Sequence, residues 1–115
     1  MYTAKFTELA ENDILLTLEY ISEKLSAPKA AENLYYEINE KVELIENNPF
    51  LFPLVRDPYL SKKGLRWIGI KNYMMFYKII ELEEEISIIR ILYGRRDWKN
   101  ILKDKTKFMH CSLTI

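Results

Sequence analysis

The stretch of residues 64–98 constrains the fold more than any other part of this 115-residue chain. It contains three short runs rich in apolar, β-branched and aromatic residues, namely residues 65–70, 73–82 and 86–93. Lys71 and Asn72 separate the first two runs, and three glutamates at positions 83–85 separate the last two. Short apolar runs bounded by turn-forming residues are typical of strands. The stretch therefore predicts a three-stranded antiparallel meander, and we expect function on its exposed face and on the basic corner that follows it.

The residues before the meander predict a short strand and two amphipathic helices. Residues 2–6 form the strand, and Thr7 is a suitable N-cap for the first helix. Apolar residues spaced three or four apart mark one stripe on each helix. The stripes are Ala10, Ile14, Leu18, Ile21 and Leu25 in the first helix, and Ala31, Leu34, Ile38, Val42 and Ile45 in the second. Pro28 suits the first turn of the second helix, and the short linker before it predicts an antiparallel hairpin.

Together these elements predict an α+β domain. An N-terminal strand is followed by an antiparallel helix hairpin, which packs on a three- to four-stranded antiparallel sheet. A short C-terminal helix over residues 98–102, with Asp97 as its N-cap, completes a domain of residues 1–102. Residues 103–115 form a tail in which residues 109–115 alternate weakly as a strand would.

Composition indicates an ordinary globular domain. No apolar run approaches the roughly 20 residues that cross a bilayer, so we expect no membrane contact. The N-terminus lacks a basic segment followed by an apolar core, and Cys111 is the single cysteine. We therefore expect a cytoplasmic protein with neither a secretory signal nor an intrachain disulfide.

Charge is unevenly distributed along the chain although its net charge is zero. Residues 1–48 carry four lysines against ten carboxylates, a net charge of −6. Residues 49–115 carry thirteen lysines and arginines against seven carboxylates, a net charge of +6. This asymmetry indicates an anionic partner for the second half, or acidic residues that simply solvate two helix faces.

Known catalytic and metal-binding motifs are missing from the sequence. It contains no HExxH or CxxC spacing, and its three glycines form no phosphate-binding loop. We therefore expect neither metal nor cofactor. The single histidine, His110, lies in the tail, and no serine or cysteine has a histidine placed to activate it.

A cluster of basic and phenolic residues remains as the candidate site. Its members are Arg66, Lys71, Arg90, Tyr93, Arg95, Arg96 and Lys99. Such a cluster can bind nucleic-acid phosphates, stabilise a phosphorane transition state without metal, or bind an acidic protein. The spacing does not choose among these chemistries.

The order of elements and several short motifs resemble the RelE/ParE superfamily of bacterial toxins. The motifs that carry this resemblance are Asp13-Ile14, Tyr20-Ile21, the PKAA run at 28–31, Asn48-Pro49, Arg66, the NYMMFY run at 72–77 and the RILYGRRDW run at 90–98. The resemblance covers residues 2–102 and leaves the tail outside it. It implies the toxin of a type II toxin–antitoxin (plasmid stabilisation) module, which arrests growth and is neutralised by a cognate antitoxin.

The resemblance favours the ParE-like branch, which inhibits DNA gyrase, over RelE-like nucleases, which cut mRNA on the ribosome. RelE-like nucleases have an arginine where this chain has Met74 and a tyrosine where it has Leu102. Arg96 does match one of their catalytic arginines. If the chain is instead a metal-independent mRNA endonuclease (an mRNA interferase), its catalytic residues are expected to be Arg66, Tyr93 and Arg96.

Two sets of binding residues follow from this reading. We expect Lys71, Arg90, Arg95, Arg96 and Lys99 to contact the target or its phosphates. We expect Arg66, Arg95 and Arg96 to contact acidic side chains of the antitoxin. A non-toxic nucleic-acid-binding domain and a structural interaction module remain as further alternatives.

Overall fold

A computed structural model describes residues 1–103, and the predictions for His110, Cys111 and residues 109–115 lie outside it. The strands are β1 (Thr3–Phe6), β2 (Arg66–Ile70), β3 (Tyr73–Ile80) and β4 (Glu85–Tyr93). The helices are α1 (Glu8–Glu19), α2 (Pro28–Asn47), α3 (Pro58–Lys62) and α4 (Trp98–Lys103). A π-helical turn (Tyr20–Lys24) continues α1, and a 3-10 turn (Glu81–Glu83) joins β3 to β4.

The four strands form one sheet in the order β1-β4-β3-β2. The predicted antiparallel meander of β2, β3 and β4 is confirmed. β1 pairs with β4 in parallel, so the sheet is mixed, and the expectation of a wholly antiparallel sheet is corrected for this strand. A tight turn can join only antiparallel neighbours, whereas parallel strands need a long connection. The helix hairpin after β1 is long enough for β1 to lie parallel to β4.

The helix hairpin packs its predicted apolar stripes on one face of the sheet. The Thr7 side chain accepts a hydrogen bond from the Ala10 backbone N–H and so caps α1. Pro28 begins α2, as predicted. Leu25 is the exception in the stripes, because the π-helical turn leaves this side chain 54% exposed.

Two apolar clusters lie against the sheet, one on each face. The larger contains residues of α1, α2 and all four strands, including Ile38, Tyr77 and Ile88. The smaller joins the sheet to α3 and α4 through Leu60, Leu65, Phe76, Leu92 and Leu102. The expectation of an exposed sheet face is therefore wrong, because α3 and α4 cover the face that the hairpin leaves open.

Within residues 1–103, none of the helices is both long and apolar enough to cross a membrane.

Candidate functional site

A groove of about 950 Å³ opens between the hairpin and the ends of β3 and β4. We call it the hairpin groove. Three elements contribute its walls: α1 with its π-helical turn, the first half of α2, and the β2–β3 turn with the end of β4. Its lining residues are Asp13, Leu16, Thr17, Tyr20, Ile21, Leu25, Ala27, Ala30, Asn33, Leu34, Lys71, Asn72, Tyr73, Ile91, Tyr93 and Arg96. Most of this lining is apolar or aromatic, with two cations at the β-strand side.

Three of the sequence-predicted site residues, Lys71, Tyr93 and Arg96, meet in this groove. Lys71 occupies the β2–β3 turn with a positive φ of 53°, and its ammonium lies 3.4 Å from a carboxylate oxygen of Glu37. The Arg96 backbone N–H donates to the Tyr93 carbonyl at 3.0 Å, which folds the basic corner back toward the strand.

Gly94 lets the basic corner approach the β2–β3 turn. Its N–H donates to the Asn72 carbonyl at 2.8 Å. A Cβ at position 94 would lie 3.2 Å from the same carbonyl oxygen, which is tighter than ordinary van der Waals contact. The glycine therefore permits the contact that holds Arg96 beside Lys71.

Tyrosines form the aromatic side of the groove. The rings of Tyr73 and Tyr93 are 5.5 Å apart in an edge-to-face arrangement. Burial raises the pKa of Tyr73, and the neighbouring Tyr93 and Tyr20 raise it further. Tyr73 therefore keeps its proton at neutral pH, and it can donate a hydrogen bond but cannot act as a base.

The floor of the groove contains a buried ion pair that connects α1 to β4. Arg90 donates two hydrogen bonds to Asp13, from Nε at 2.7 Å and from Nη2 at 2.9 Å. Asp13 also accepts the Ile91 backbone N–H at 3.0 Å. Arg90, one of the residues predicted to bind phosphate, is only 8% exposed, so the structure places its guanidinium in the interior. An arginine inside an apolar strand needs a buried partner. The position of Arg90 was therefore a sequence signal for a partner such as Asp13, which is not among the predicted site residues.

The remaining predicted site residues lie outside the groove. Arg66 is at the opposite end of β2 from Lys71, where its Nη1 donates to the Phe52 carbonyl at 2.6 Å and its guanidinium covers the Phe50 ring. Arg95 is exposed beside the groove. The Lys99 ammonium is 5.7 Å from the centre of the Trp98 ring. The predicted cluster is thus not a single site.

Met74 and Leu102 lie on the other side of the sheet, in or against the smaller apolar cluster. Their side chains therefore do not reach the hairpin groove. Within residues 1–103, no group of three or more His, Cys, Asp or Glu side chains is placed to hold a metal ion.

The same architecture occurs in solved toxin–antitoxin structures. A chain of the chromosomal ParDE system from P. aeruginosa is 21% identical, with a TM-score of 0.64 over 81% of this chain and 96% of that one. A chain of the RelBE2 toxin–antitoxin complex from Mycobacterium tuberculosis is 17% identical, with a TM-score of 0.57 over 80% of this chain and 96% of that one. These likenesses concern the fold. No curated protein sequence matches the chain.

The family model described as the ParE toxin of the type II toxin-antitoxin system, parDE, matches residues 4–98. The chain therefore belongs to the ParE toxin family, which confirms the resemblance seen in the sequence.

Proposed function

We propose that this protein is a growth-arresting toxin that inhibits DNA gyrase and is neutralised by a cognate antitoxin bound in the hairpin groove. The observation that carries the proposal is the match to the ParE toxin model across nearly the whole described domain. The groove supports it because its lining resembles a peptide-binding surface more than a catalytic centre.

The chemistry of the groove supports a non-nucleolytic action. Cleavage of RNA without metal needs a general base and a general acid within reach of the phosphate. The Asp13 carboxylate is bound by Arg90 and a backbone N–H, and the Tyr73 pKa is raised. The arginine and tyrosine of RelE-like nucleases are replaced by Met74 and Leu102, which pack on the far side of the sheet.

The antitoxin is proposed to place an apolar segment in the groove. Leu16, Tyr20 and Leu25 are 57%, 54% and 54% exposed, which is unusual for large apolar side chains that lie close together. An amphipathic helix or an extended segment would bury them, a common mode of peptide recognition. Acidic antitoxin residues would pair with Arg96 and Lys71 at the strand side of the groove.

Arg95 and Arg66 make this binding mode testable. Because Arg96 lines the groove and Arg95 does not, Arg96→Ala should weaken antitoxin binding more than Arg95→Ala. Arg66 lies at the opposite end of β2 from Lys71, about 17 Å from it at a strand rise of roughly 3.4 Å per residue. Only an antitoxin segment that continues along this strand therefore contacts Arg66. Isothermal titration of each variant with the antitoxin measures these contributions, and equal losses for Arg95 and Arg96 would contradict the groove as the binding site.

One observation favours the alternative function, a ribosome-dependent and metal-independent mRNA endonuclease. Lys71, Tyr93 and Arg96 lie in one groove, and a phosphate placed there would meet two cations and a phenol. In that case Arg96 would stabilise the transition-state charge, and Tyr93 would be the candidate for proton transfer.

Two measurements separate the proposals. We expect the purified chain to inhibit supercoiling by gyrase, the antitoxin to relieve that inhibition, and transcripts to stay intact after induced expression. Both assays should include the variant Arg96→Ala. The control is Lys29→Ala on α2, which also removes one positive charge but lies outside the groove. New codon-phased 5′ ends that disappear in Arg96→Ala would overturn the gyrase proposal, and normal growth on induction would indicate a non-toxic binding domain.

A further inference from the structure

A stripe of exposed apolar side chains runs along α1 into the π-helical turn and forms one wall of the hairpin groove. Its members are Leu16, Tyr20 and Leu25, and each of them is more than half exposed and lines the groove. By its spacing in the sequence, Leu25 belongs instead to the buried stripe of the same helix. Leu18 and Ile21 of that buried stripe do pack on the larger apolar cluster. The structure therefore moves one leucine from the core stripe to the groove.

The hydrogen bonds of the π-helical turn explain this displacement. The Leu25 backbone N–H donates to the Tyr20 carbonyl, five residues back, at 3.1 Å. An α-helical bond would join Leu25 to Ile21, four residues back, and would place its side chain over the buried stripe. The π-helical bond instead places Leu25 over Tyr20, which follows Leu16 by four residues. One additional residue in the turn thus extends the exposed stripe by one large apolar side chain.

The chain after the turn holds Leu25 in this register. The Ile21 carbonyl, which would be the α-helical acceptor for Leu25, accepts the Ala27 backbone N–H at 3.1 Å. Ser26, between Leu25 and Ala27, has a left-handed φ of 50°, a conformation that favours glycine. Both π-helical turns and strained backbone are found frequently at functional sites. Two adjacent departures from ordinary geometry therefore indicate that this end of the hairpin is a recognition element.

We propose that the end of α1, with its π-helical turn, forms a pocket for one large apolar side chain of the antitoxin. We call it the π-turn pocket. Leu16, Tyr20 and Leu25 form one wall, and the groove lining continues beside them with Ala27 and Ala30. Because alanine side chains are single methyl groups, they take up little of the groove. The inference rests on the proposed function, since it takes the antitoxin as the molecule that fills the groove.

The surroundings of the π-turn pocket favour a protein segment over a membrane surface. On the other flank of the exposed stripe lies a shallow hollow of about 130 Å³, lined by Leu16, Glu19, Tyr20, Glu23 and Lys24. An apolar patch with a polar rim is typical of a protein interface, and carboxylates disfavour an anionic lipid surface. Arg96 in the same groove is complementary to an acidic side chain. The segment that fits therefore carries a large apolar residue for the pocket and an acidic residue for Arg96.

Surface plasmon resonance of the purified full chain on the immobilised antitoxin tests the π-turn pocket. Leu25→Ala should weaken binding about tenfold, because an apolar anchor that lines a pocket is a typical hot spot. Ala30→Leu should also weaken binding about tenfold, because it fills the pocket with bulk that the partner side chain must displace. Both positions are exposed, so neither variant should change the denaturation midpoint of the free chain.

Each variant has a matched control on the same helix. Leu15→Ala truncates a leucine of α1 that is 67% exposed but outside the groove lining. Asn39→Leu adds a leucine at an exposed position of α2 outside the groove lining. Both controls should bind the antitoxin within about twofold of the wild-type affinity.

A double-mutant cycle identifies the side chain that fills the pocket. Each large apolar residue of the antitoxin is changed to alanine in turn, and its binding to the wild-type chain and to Leu25→Ala is compared. Energetic coupling is expected between residues in contact, whereas distant residues contribute additively. One antitoxin residue should therefore cost much less affinity against Leu25→Ala than against the wild-type chain.

The variant Arg96→Ala separates failure of this inference from failure of the proposed binding mode. If Arg96→Ala weakens binding while Leu25→Ala and Ala30→Leu do not, the antitoxin occupies the groove without using the π-turn pocket, and only this inference is overturned. If all three variants bind as the wild-type chain does, the groove is not the antitoxin site and both proposals fail. Losses as large in the two controls, or additivity of every antitoxin residue with Leu25→Ala, would also overturn the inference.

Discussion

The hairpin groove and the surface around α3 and α4, which we call the α3–α4 face, lie on opposite sides of one sheet and differ in their chemistry. The groove is mostly apolar and aromatic, with Lys71 and Arg96 at one side. The α3–α4 face has Lys63 and Lys103 near the Tyr59 ring, and Lys103 is paired with Asp57. Alternation along β3 keeps these surfaces apart, since Tyr73 and Tyr77 pack on the hairpin side whereas Met74 and Phe76 pack on the other.

The difference predicts that the two surfaces respond differently to salt. Burial of apolar area favours binding in the groove, and this contribution is insensitive to salt. On the α3–α4 face the partly exposed ion pair between Lys103 and Asp57 is screened as salt increases. The following variants test whether the two surfaces are as independent as this comparison implies.

The largest expected effect comes from the ion pair beneath the groove. Asp13→Asn removes the carboxylate that the buried Arg90 binds with two hydrogen bonds, so the free energy of unfolding should fall by about 3–5 kcal/mol. Chemical denaturation measures this loss. Asp57→Asn, at the ion pair of the opposite face, should cost much less because the Lys103 side chain is 35% exposed. Similar losses of unfolding free energy in Asp13→Asn and Asp57→Asn would contradict this prediction. They would show that the two ion pairs stabilise the fold equally.

An intermediate effect is expected for the aromatic lining of the groove. Tyr20→Ala should weaken antitoxin binding at least tenfold, because a large exposed aromatic side chain in a groove is a typical hot spot. Tyr36→Ala is the matched control, since Tyr36 is 58% exposed against 54% for Tyr20 but lies outside the groove lining. Surface plasmon resonance compares the two, and a larger loss for Tyr36 would place the antitoxin on the outer face of α2.

The smallest effect is expected at Tyr77, which anchors the end of the hairpin away from the groove. Its hydroxyl donates to the Pro49 carbonyl at 2.8 Å, and burial raises its pKa to about 12 from 10.0. Tyr77→Phe should cost about 1 kcal/mol at neutral pH. Antitoxin affinity should not change, because Tyr77 is outside the groove.

The same residue predicts a pH dependence. Between pH 10 and 12 the unfolded chain releases the Tyr77 proton while the folded chain retains it, so ionisation stabilises the unfolded state. The advantage of wild type over Tyr77→Phe should therefore shrink and then reverse as the pH rises through this window. A constant difference from pH 8 to pH 12 would be inconsistent with the raised pKa.

Local patterns predicted most of the fold. The stripe containing Leu34 and Ile38 identified α2 and its buried face, and the three apolar runs identified the meander. The parallel pairing of β1 was not predicted, because strand direction across a long connection leaves no periodic signal. Helix α3 was missed because five residues are too few for a periodic pattern to emerge.

The candidate site was predicted less completely, as the arginines show. Arg90 and Arg96 were both predicted to bind phosphate, yet one is 8% exposed against Asp13 and the other lines the groove. Which of them is buried depends on the position of α1 over β4, a contact between residues 77 positions apart in the chain. The α3–α4 face was not predicted either, since it combines side chains from α3, the residue after it and α4.

The sequence by itself determined the two long helices, the meander and the family, because these depend on local spacing and on short motifs. Only the tertiary structure decided that the sheet is covered on both faces and that the basic residues separate into two surfaces. The physical reason is that the partner of a charged side chain can lie far away in the sequence, as Asp13 lies from Arg90. Its free energy, and therefore its role, is set by partners that only folding brings near.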